Sequence, residues 1–246
     1  MEHLVSVTPE QARLAISLLD LTNLDDRCTV DAIDALCVRA VEHGVAAVCV
    51  WPDFVRQAVT RVSGSGVGVA TVVNFPTGDE RPYAVGAVAA CAVDDGATEV
   101  DVVLPYRAFL AGDTAWAFDV LRTARVASVG THLKVILETG ELPDDDTVAA
   151  AARLAIEAGA DFVKTSTGKS AVSATPGAVA TMLDVVRDTD RTVGLKPSGG
   201  IRTAADAEVY LDLARERLGD DYLTPATFRF GASSLLDALL AVTSEV

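Results

Sequence analysis

The chain has 246 residues, half of them hydrophobic, and a formal net charge of −15 at pH 7. That length suits one large α/β domain, and the hydrophobic content excludes a disordered polypeptide. The acidity disfavours a phosphate-backbone partner: a nucleic-acid binder needs a basic surface, and no basic stripe occurs.

The candidate strands are, in chain order, ISLLDL (16–21), AAVCVW (46–51), VGVATVVN (67–74), TEVDVVL (98–104), LKVILET (133–139), DFVKTS (161–166), TVGLKP (192–197) and FRFGA (228–232). They repeat at about 30 residues, the length of a strand, a loop and a crossover helix. The segments between them carry helix signals. TVDAIDALCVRAVEHG (29–44) has apolar residues at helical spacing and a Gly stop. DDDTVAAAARLAIEAG (144–159) opens with carboxylates suited to a helix N-terminus. TAADAEVYLDLARERLG (203–219) opens at Thr203, a possible N-cap, and closes at Gly219. Eight apolar strands alternating with helices predict a parallel sheet covered on its faces, and the count and length predict a single (β/α)8 TIM barrel over residues 1–246. A doubly wound open sheet is the alternative, but it favours a Gly-rich turn after the first strand, where DLTNLDD stands.

Other functional classes find little support. No stretch of about 18 apolar residues occurs, so no membrane span is expected. The start has no basic segment followed by an apolar core, and Cys28, Cys37, Cys49 and Cys91 form no CxxC pair, which suits free thiols in a reducing cytoplasm. His3, His43 and His132 are scattered, so neither a metal site nor another cofactor is expected.

Lysine usage is more specific. Of 20 basic residues only four are lysines: Lys134, Lys164, Lys169 and Lys196. All four fall on or just after strands five, six and seven. Lysine, unlike arginine, can lose its proton and attack a carbonyl. Active sites of TIM barrels form at the C-terminal strand ends. There the sequence places Asp20 and Thr22 (strand one), Cys49 (two), Asn74 (three), Asp101 (four), Lys134 and Glu138 (five), Lys164, Thr165 and Ser166 (six), Lys196 (seven) and Ser233 and Ser234 (eight). Lys164 and Lys196 sit among apolar residues on strands about 4.8 Å apart, so repulsion and burial should depress both pKa values. A depressed amine is a nucleophile near neutral pH. Asp101 could relay a proton or balance the charge. A purely structural Lys–Asp–Lys network is the competing interpretation. STGKS (166–170), PSGG (197–200) and GASS (231–234) are Gly-rich turns on neighbouring strands. Together they predict a phosphate pocket, since Gly admits close backbone approach and a helix N-terminus favours anions.

The segments DLTNLDD, CVWPDFV, VVNFPTG, EVDVVLPYRAFLAGD, LKVILETGEL, ADFVKTSTGKS, GLKPSGGIRT and FRFGASSLL together resemble the deoxyribose-phosphate aldolase family. The resemblance runs from about residue 15 to 240. It implies reversible cleavage of 2-deoxy-D-ribose 5-phosphate to D-glyceraldehyde 3-phosphate and acetaldehyde without a metal. It implies that Lys164 forms the Schiff base, Lys196 tunes its pKa and Asp101 relays protons. It places phosphate contacts at Gly168, Lys169, Gly199, Gly200, Ser233 and Ser234. Asp20 and Thr22 match positions that line the site, and Thr165 is counted with the same substrate-binding set. Cys49 matches a pocket cysteine, although a small buried core residue is the plainer account. Asp25 stands where some members carry Asn. Some members end in a tyrosine that assists proton transfer; SLLDALLAVTSEV contains none, so either water and Asp101 suffice for that step or it is slower here. The expected partner is a phosphorylated sugar, and the expected assembly is a homo-oligomer (dimer or tetramer). The alternatives are a Schiff-base aldolase or thiolase for another phosphosugar, or a sugar-phosphate binder without catalysis.

Overall fold

A computed structural model describes residues 7–244. Its strands are β1 (Leu19–Asn23), β2 (Ala47–Val50), β3 (Gly68–Val73), β4 (Glu99–Val103), β5 (His132–Ile136), β6 (Phe162–Lys164), β7 (Gly194–Lys196) and β8 (Phe230–Ala232). Its α-helices are α1 (Pro9–Ser17), α2 (Val30–His43), α3 (Val55–Val62), α4 (Pro82–Asp94), α5 (Tyr106–Leu110), α6 (Thr114–Ala127), α7 (Asp145–Glu157), α8 (Pro176–Arg187), α9 (Ala204–Leu218) and α10 (Leu235–Thr243). His3 and the chain end beyond Ser244, including the expected lack of a terminal tyrosine, lie outside the described residues.

The strands pair in parallel in the order β7-β6-β5-β4-β3-β2-β1-β8. Two bridges, Leu195 with Phe228 and Ser198 with Gly231, join the ends of that order and close the barrel. This is the expected (β/α)8 architecture, and seven of the eight strands fall where the apolar runs predict them. The first is displaced. Residues 16 and 17 belong to α1, and β1 runs on to Asn23. The cause is local: Thr8 and Gln11 form a capping box and Pro9 occupies the first turn, so the helix nucleates and buries Ala12, Ala15 and Ile16 before the strand begins.

The predicted helix ends hold. Thr29 caps α2, which stops at Gly44 in the left-handed conformation, φ 63°. Asp144 caps α7, and Thr203 caps α9 with Asp206 completing a capping box. The outward faces of the strands and the inner faces of the helices form one continuous apolar core of mostly Ala, Val and Leu. The barrel interior is different, and it holds the site.

Candidate active site

Strand side chains alternate between the helix-facing core and the barrel lumen. On β4 this sends Glu99 and Asp101 inward; opposite them come Lys134 of β5, Lys164 of β6, Lys196 of β7 and Asp20 of β1, with Arg229 entering just before β8. Lys164 pairs in register with Lys196, and Asp101 with Lys134. All seven are buried. Lys164 and Lys196 each donate to Oδ2 of Asp101 at 2.8 Å. Lys134 donates to Oδ1 of Asp101 at 3.0 Å and to Glu99. Lys196 also donates to Asp20 at 2.5 Å, and Lys134 lies 3.5 Å from the same oxygen. Arg229 donates to Asp20 Oδ1 at 2.6 Å and to Glu99 Oε1 at 2.9 Å.

These partners separate the lysines. Lys134 faces three carboxylates, Lys196 two, and Lys164 only Asp101, which it shares with the other two. Desolvation, reinforced by Lys196, holds Lys164 below the ordinary lysine pKa despite Asp101. Burial pulls Lys196 the same way, but Asp101 and Asp20 outweigh it and raise its pKa. The expectation that both lysines are depressed is therefore corrected: Lys196 stays charged because it has a second carboxylate. Asp101 is held well below the carboxylate range: burial would raise it, and Lys134, Lys164 and Lys196 overcome that.

The lumen is charged on one side and apolar on the other. Cys49, Ala70, Val72 and Leu24 form a small cluster, flanked by Trp51 and Phe75. Burial raises the Cys49 thiol pKa, so it sits there as a neutral core residue. The floor is Phe162, whose ring lies 5.8 Å from both Lys134 Nζ and Arg229 Cζ. Gly194 admits that ring: a Cβ there would meet Phe162 Cε1 at 2.2 Å.

Above the lumen opens a cleft of about 550 Å³. Its wall includes Thr22, Gly168, Lys169, Gly199, Gly200, Ser233 and Ser234, so seven of the nine expected binding positions meet there. Gly168, Gly199 and Gly200 are left-handed, with φ of 78°, 83° and 80°. A Cβ on Gly199 would meet Ser173 Oγ at 2.6 Å and the Gly168 Cα at 3.1 Å, so the two loops touch backbone to backbone. The N-terminus of α10, without a side-chain cap, borders the cleft at Ser233 and Ser234. Lys169 spans the rim, donating to the Leu24 carbonyl at 2.9 Å.

Two expected residues lie elsewhere. Asp20 is fully buried below the cleft, held by Lys196 and Arg229. Thr165 faces away from it and staples two loops: its hydroxyl accepts from Ser198 N at 2.9 Å and donates to Ser198 O at 3.2 Å. Sequence reasoning also missed Glu99, Arg229 and the cleft residue Arg202. The period-two alternation of EVDVV could have found Glu99; an arginine between two phenylalanines in FRF is a weaker signal. Among the described residues, no group of three or more His, Cys, Asp or Glu side chains is arranged to hold a metal ion.

Comparisons with known proteins agree with this geometry. The model of the DeoC/LacD family aldolases matches residues 14–241. The deoxyribose-phosphate aldolase of Agrobacterium fabrum is 48% identical over 237 residues, covering 95% of this chain and 92% of that protein. The tetrameric deoxyribose phosphate aldolase of Aeropyrum pernix superposes with a TM-score of 0.80 at 27% identity, covering 97% of each chain. The aldolase QR15 superposes with the same TM-score at 28% identity, covering 92% of this chain and 96% of that one. With a charged lysine-and-aspartate lumen beneath a glycine-walled cleft, and these similarities along nearly its whole length, the chain belongs to the DeoC/LacD family of aldolases.

Proposed function

We propose that the chain is a Schiff-base aldolase that reversibly cleaves 2-deoxy-D-ribose 5-phosphate to D-glyceraldehyde 3-phosphate and acetaldehyde, with Lys164 as nucleophile. The observation that carries this reading is the sharing of one Asp101 oxygen by Lys164 and Lys196, on strands whose following loops wall a cleft with Gly168, Lys169, Gly199 and Gly200.

The chemistry follows from the parts. Neutral Lys164 attacks the C1 aldehyde of the open-chain sugar, and loss of water leaves a protonated imine. That cation occupies the place of the ammonium beside Asp101. The imine draws electrons from the C2–C3 bond as the C3 hydroxyl gives up its proton, toward Asp101 directly or through water. Asp101 is ionised at rest but is a weak base among its three ammonium partners, so its part is to relay the proton and not to keep it. Glyceraldehyde 3-phosphate departs. The enamine left on Lys164 takes a proton at carbon and is hydrolysed to acetaldehyde, which frees the amine. Phosphate held by the glycine loops, Ser233, Ser234 and the α10 N-terminus supplies binding energy remote from the reacting bond. Lys196 keeps a fixed positive charge beside Lys164, and Thr22 lines the sugar's path.

The same reading takes the protein as a metal-independent, single-domain cytoplasmic enzyme without cofactor, acting on carbohydrate breakdown and assembling as a homo-oligomer. Four unpaired cysteines support a reducing compartment. The tetrameric Aeropyrum pernix structure supports assembly. No described helix is long and apolar enough to cross a membrane, and the charge of −15 disfavours nucleic acid.

The test has two arms. A coupled assay should detect glyceraldehyde 3-phosphate released from 2-deoxyribose 5-phosphate in preference to other phosphosugars. Borohydride with acetaldehyde should add a two-carbon adduct at Lys164, read by peptide mass spectrometry. Turnover with Lys164 unlabelled would overturn the mechanism, and preference for another phosphosugar would overturn the substrate.

A further inference from the structure

The lumen holds four cationic side chains, Lys134, Lys164, Lys196 and Arg229, against three carboxylates, Asp20, Glu99 and Asp101. The other buried groups stand apart from this cluster: Glu138, past the end of β5, accepts from the N–H and hydroxyl of Thr167 and pairs with none of the four cations, Cys49 on β2 is a neutral thiol, β3 contributes Ala70 and Val72, and below the Phe162 floor His132 lies on the outside, its ring 6.1 Å from Phe162. The cluster therefore carries one excess positive charge when every base is protonated, and it balances when one base is neutral. Buried charge without a partner is costly, so the balanced state is favoured.

Arginine cannot supply that neutral base, because its guanidinium stays protonated in proteins. Arg229 is also fully engaged. Its Nε donates to the Pro225 carbonyl, while Nη1 and Nη2 hold Asp20 and Glu99. It thus consumes one carboxylate equivalent without pairing with any group that touches Lys164 other than through the shared cluster. The three lysines are left to share the remainder, and Lys164 has the fewest partners.

Resting on the assignment of Lys164 as nucleophile, we propose that Arg229, through Asp20 and Glu99, is the positioning residue that makes the lumen one charge too positive and so obliges Lys164 to be its neutral amine. The site is then activated by a count of charges across the whole barrel floor, of which the Lys196 contact is one part. The lowered pKa of Lys164 beside the raised pKa values of Lys134 and Lys196 fits this count. Because the cluster titrates as a unit, a change in charge at Arg229 should be felt at Lys164 although the two do not touch.

The count predicts opposite signs for two substitutions. In Arg229→Met, three lysines face three carboxylates, all can stay protonated, and the pKa of Lys164 rises. The acid limb of kcat/KM should move up by about one pH unit or more, since a nearby charge shifts a pKa by that order. In Glu99→Gln, four cations face two carboxylates, and the acid limb should move down. The double variant Glu99→Gln with Arg229→Met restores the excess of one, so its limb should return toward the wild-type position. Arg229→Lys keeps the charge and should lie closer to wild type than Arg229→Met.

The experiment measures kcat/KM for 2-deoxyribose 5-phosphate against pH, and in parallel the pH dependence of acetaldehyde trapping at Lys164 by borohydride, with circular dichroism to establish folding. Should Arg229→Met fail to fold, Glu99→Gln and the double variant carry the test. A merely structural Arg229 would lower kcat with an unmoved midpoint and would leave the double variant worse than either single one; that pattern, or a downward shift in Arg229→Met, overturns the proposal. Absence of label on Lys164 in an active wild-type enzyme would instead overturn the nucleophile assignment on which it rests.

Discussion

Lys164 and Lys196 face each other in register across β6 and β7 and donate to the same oxygen of Asp101, each at 2.8 Å. One carboxylate oxygen cannot fully compensate two ammonium groups, and Lys196 has Asp20 as a second anchor while Lys164 has none. The pair is built so that one member keeps its proton and the other is disposed to lose it.

Replacing Lys196 by leucine removes the cation that disfavours protonation of Lys164. The pKa of Lys164 should rise, the acid limb of the pH–rate profile should move to higher pH, and kcat near neutrality should fall by roughly 10²-fold or more, as for loss of a well-placed acid–base group. A pH–rate profile superimposable on that of wild type would refute the tuning role.

Thr165 ties the β6 loop to the β7 loop through both polar atoms of the Ser198 backbone. Thr165→Val leaves a buried N–H without its acceptor, at a cost of about 1–3 kcal/mol. Because the stapled loops carry Gly168, Gly199 and Gly200, KM for the phosphorylated sugar should rise. Turnover of unphosphorylated 2-deoxyribose should change little. Equal losses on both substrates would show that the staple serves the reacting end instead.

Gly231 leaves space for the arm of Lys196. A Cβ there would lie 2.5 Å from Ser198 Oγ and 3.0 Å from Lys196 Cε. Gly231→Ala should cost about 1–3 kcal/mol by overpacking. It should also lower kcat by roughly 10²-fold, the penalty expected for a displacement near 1 Å at a reacting centre. Thermal melts and steady-state rates check the two effects separately; wild-type turnover would show that Lys196 does not depend on this gap.

The buried carboxylates set an acid limit. Asp101 is held far below the value of about 3.9 that it has in the unfolded chain. Below that pH the unfolded state binds the extra proton, so the stabilisation is complete above about pH 3.9 and is lost as pH falls toward the folded pKa. Asp101→Asn should cost about 3–5 kcal/mol at neutral pH, because it strands buried ammonium groups. The gap in urea stability between wild type and Asp101→Asn should narrow as pH is lowered from 5 to 3. A constant gap would mean that Asp101 contributes through shape and not through charge.

The sequence by itself determined the architecture and the cast. Apolar runs at a period of about 30 residues identify eight barrel strands, because strands covered on both faces leave an unbroken hydrophobic signature. Thr203 as a cap, the Asp run at 144–146 and the stops at Gly44 and Gly219 mark the helices, because helix ends are set by contacts within one turn. Four lysines confined to three strand ends, with glycine loops beside them, point to the chemistry. The residue pattern left Lys164 and Lys196 alike and the family resemblance named Lys164; only the tertiary structure shows why Lys164 is the one poised to be neutral. That outcome depends on partners such as Asp20 and Lys196, 176 residues apart, and Asp20 and Arg229, 209 residues apart. For the same reason Asp20 and Thr165, expected to line the cleft, turned out to brace it from beneath. Local patterning fixes which face of a strand a side chain leaves from; the charge it meets in the lumen is set by all eight strands at once.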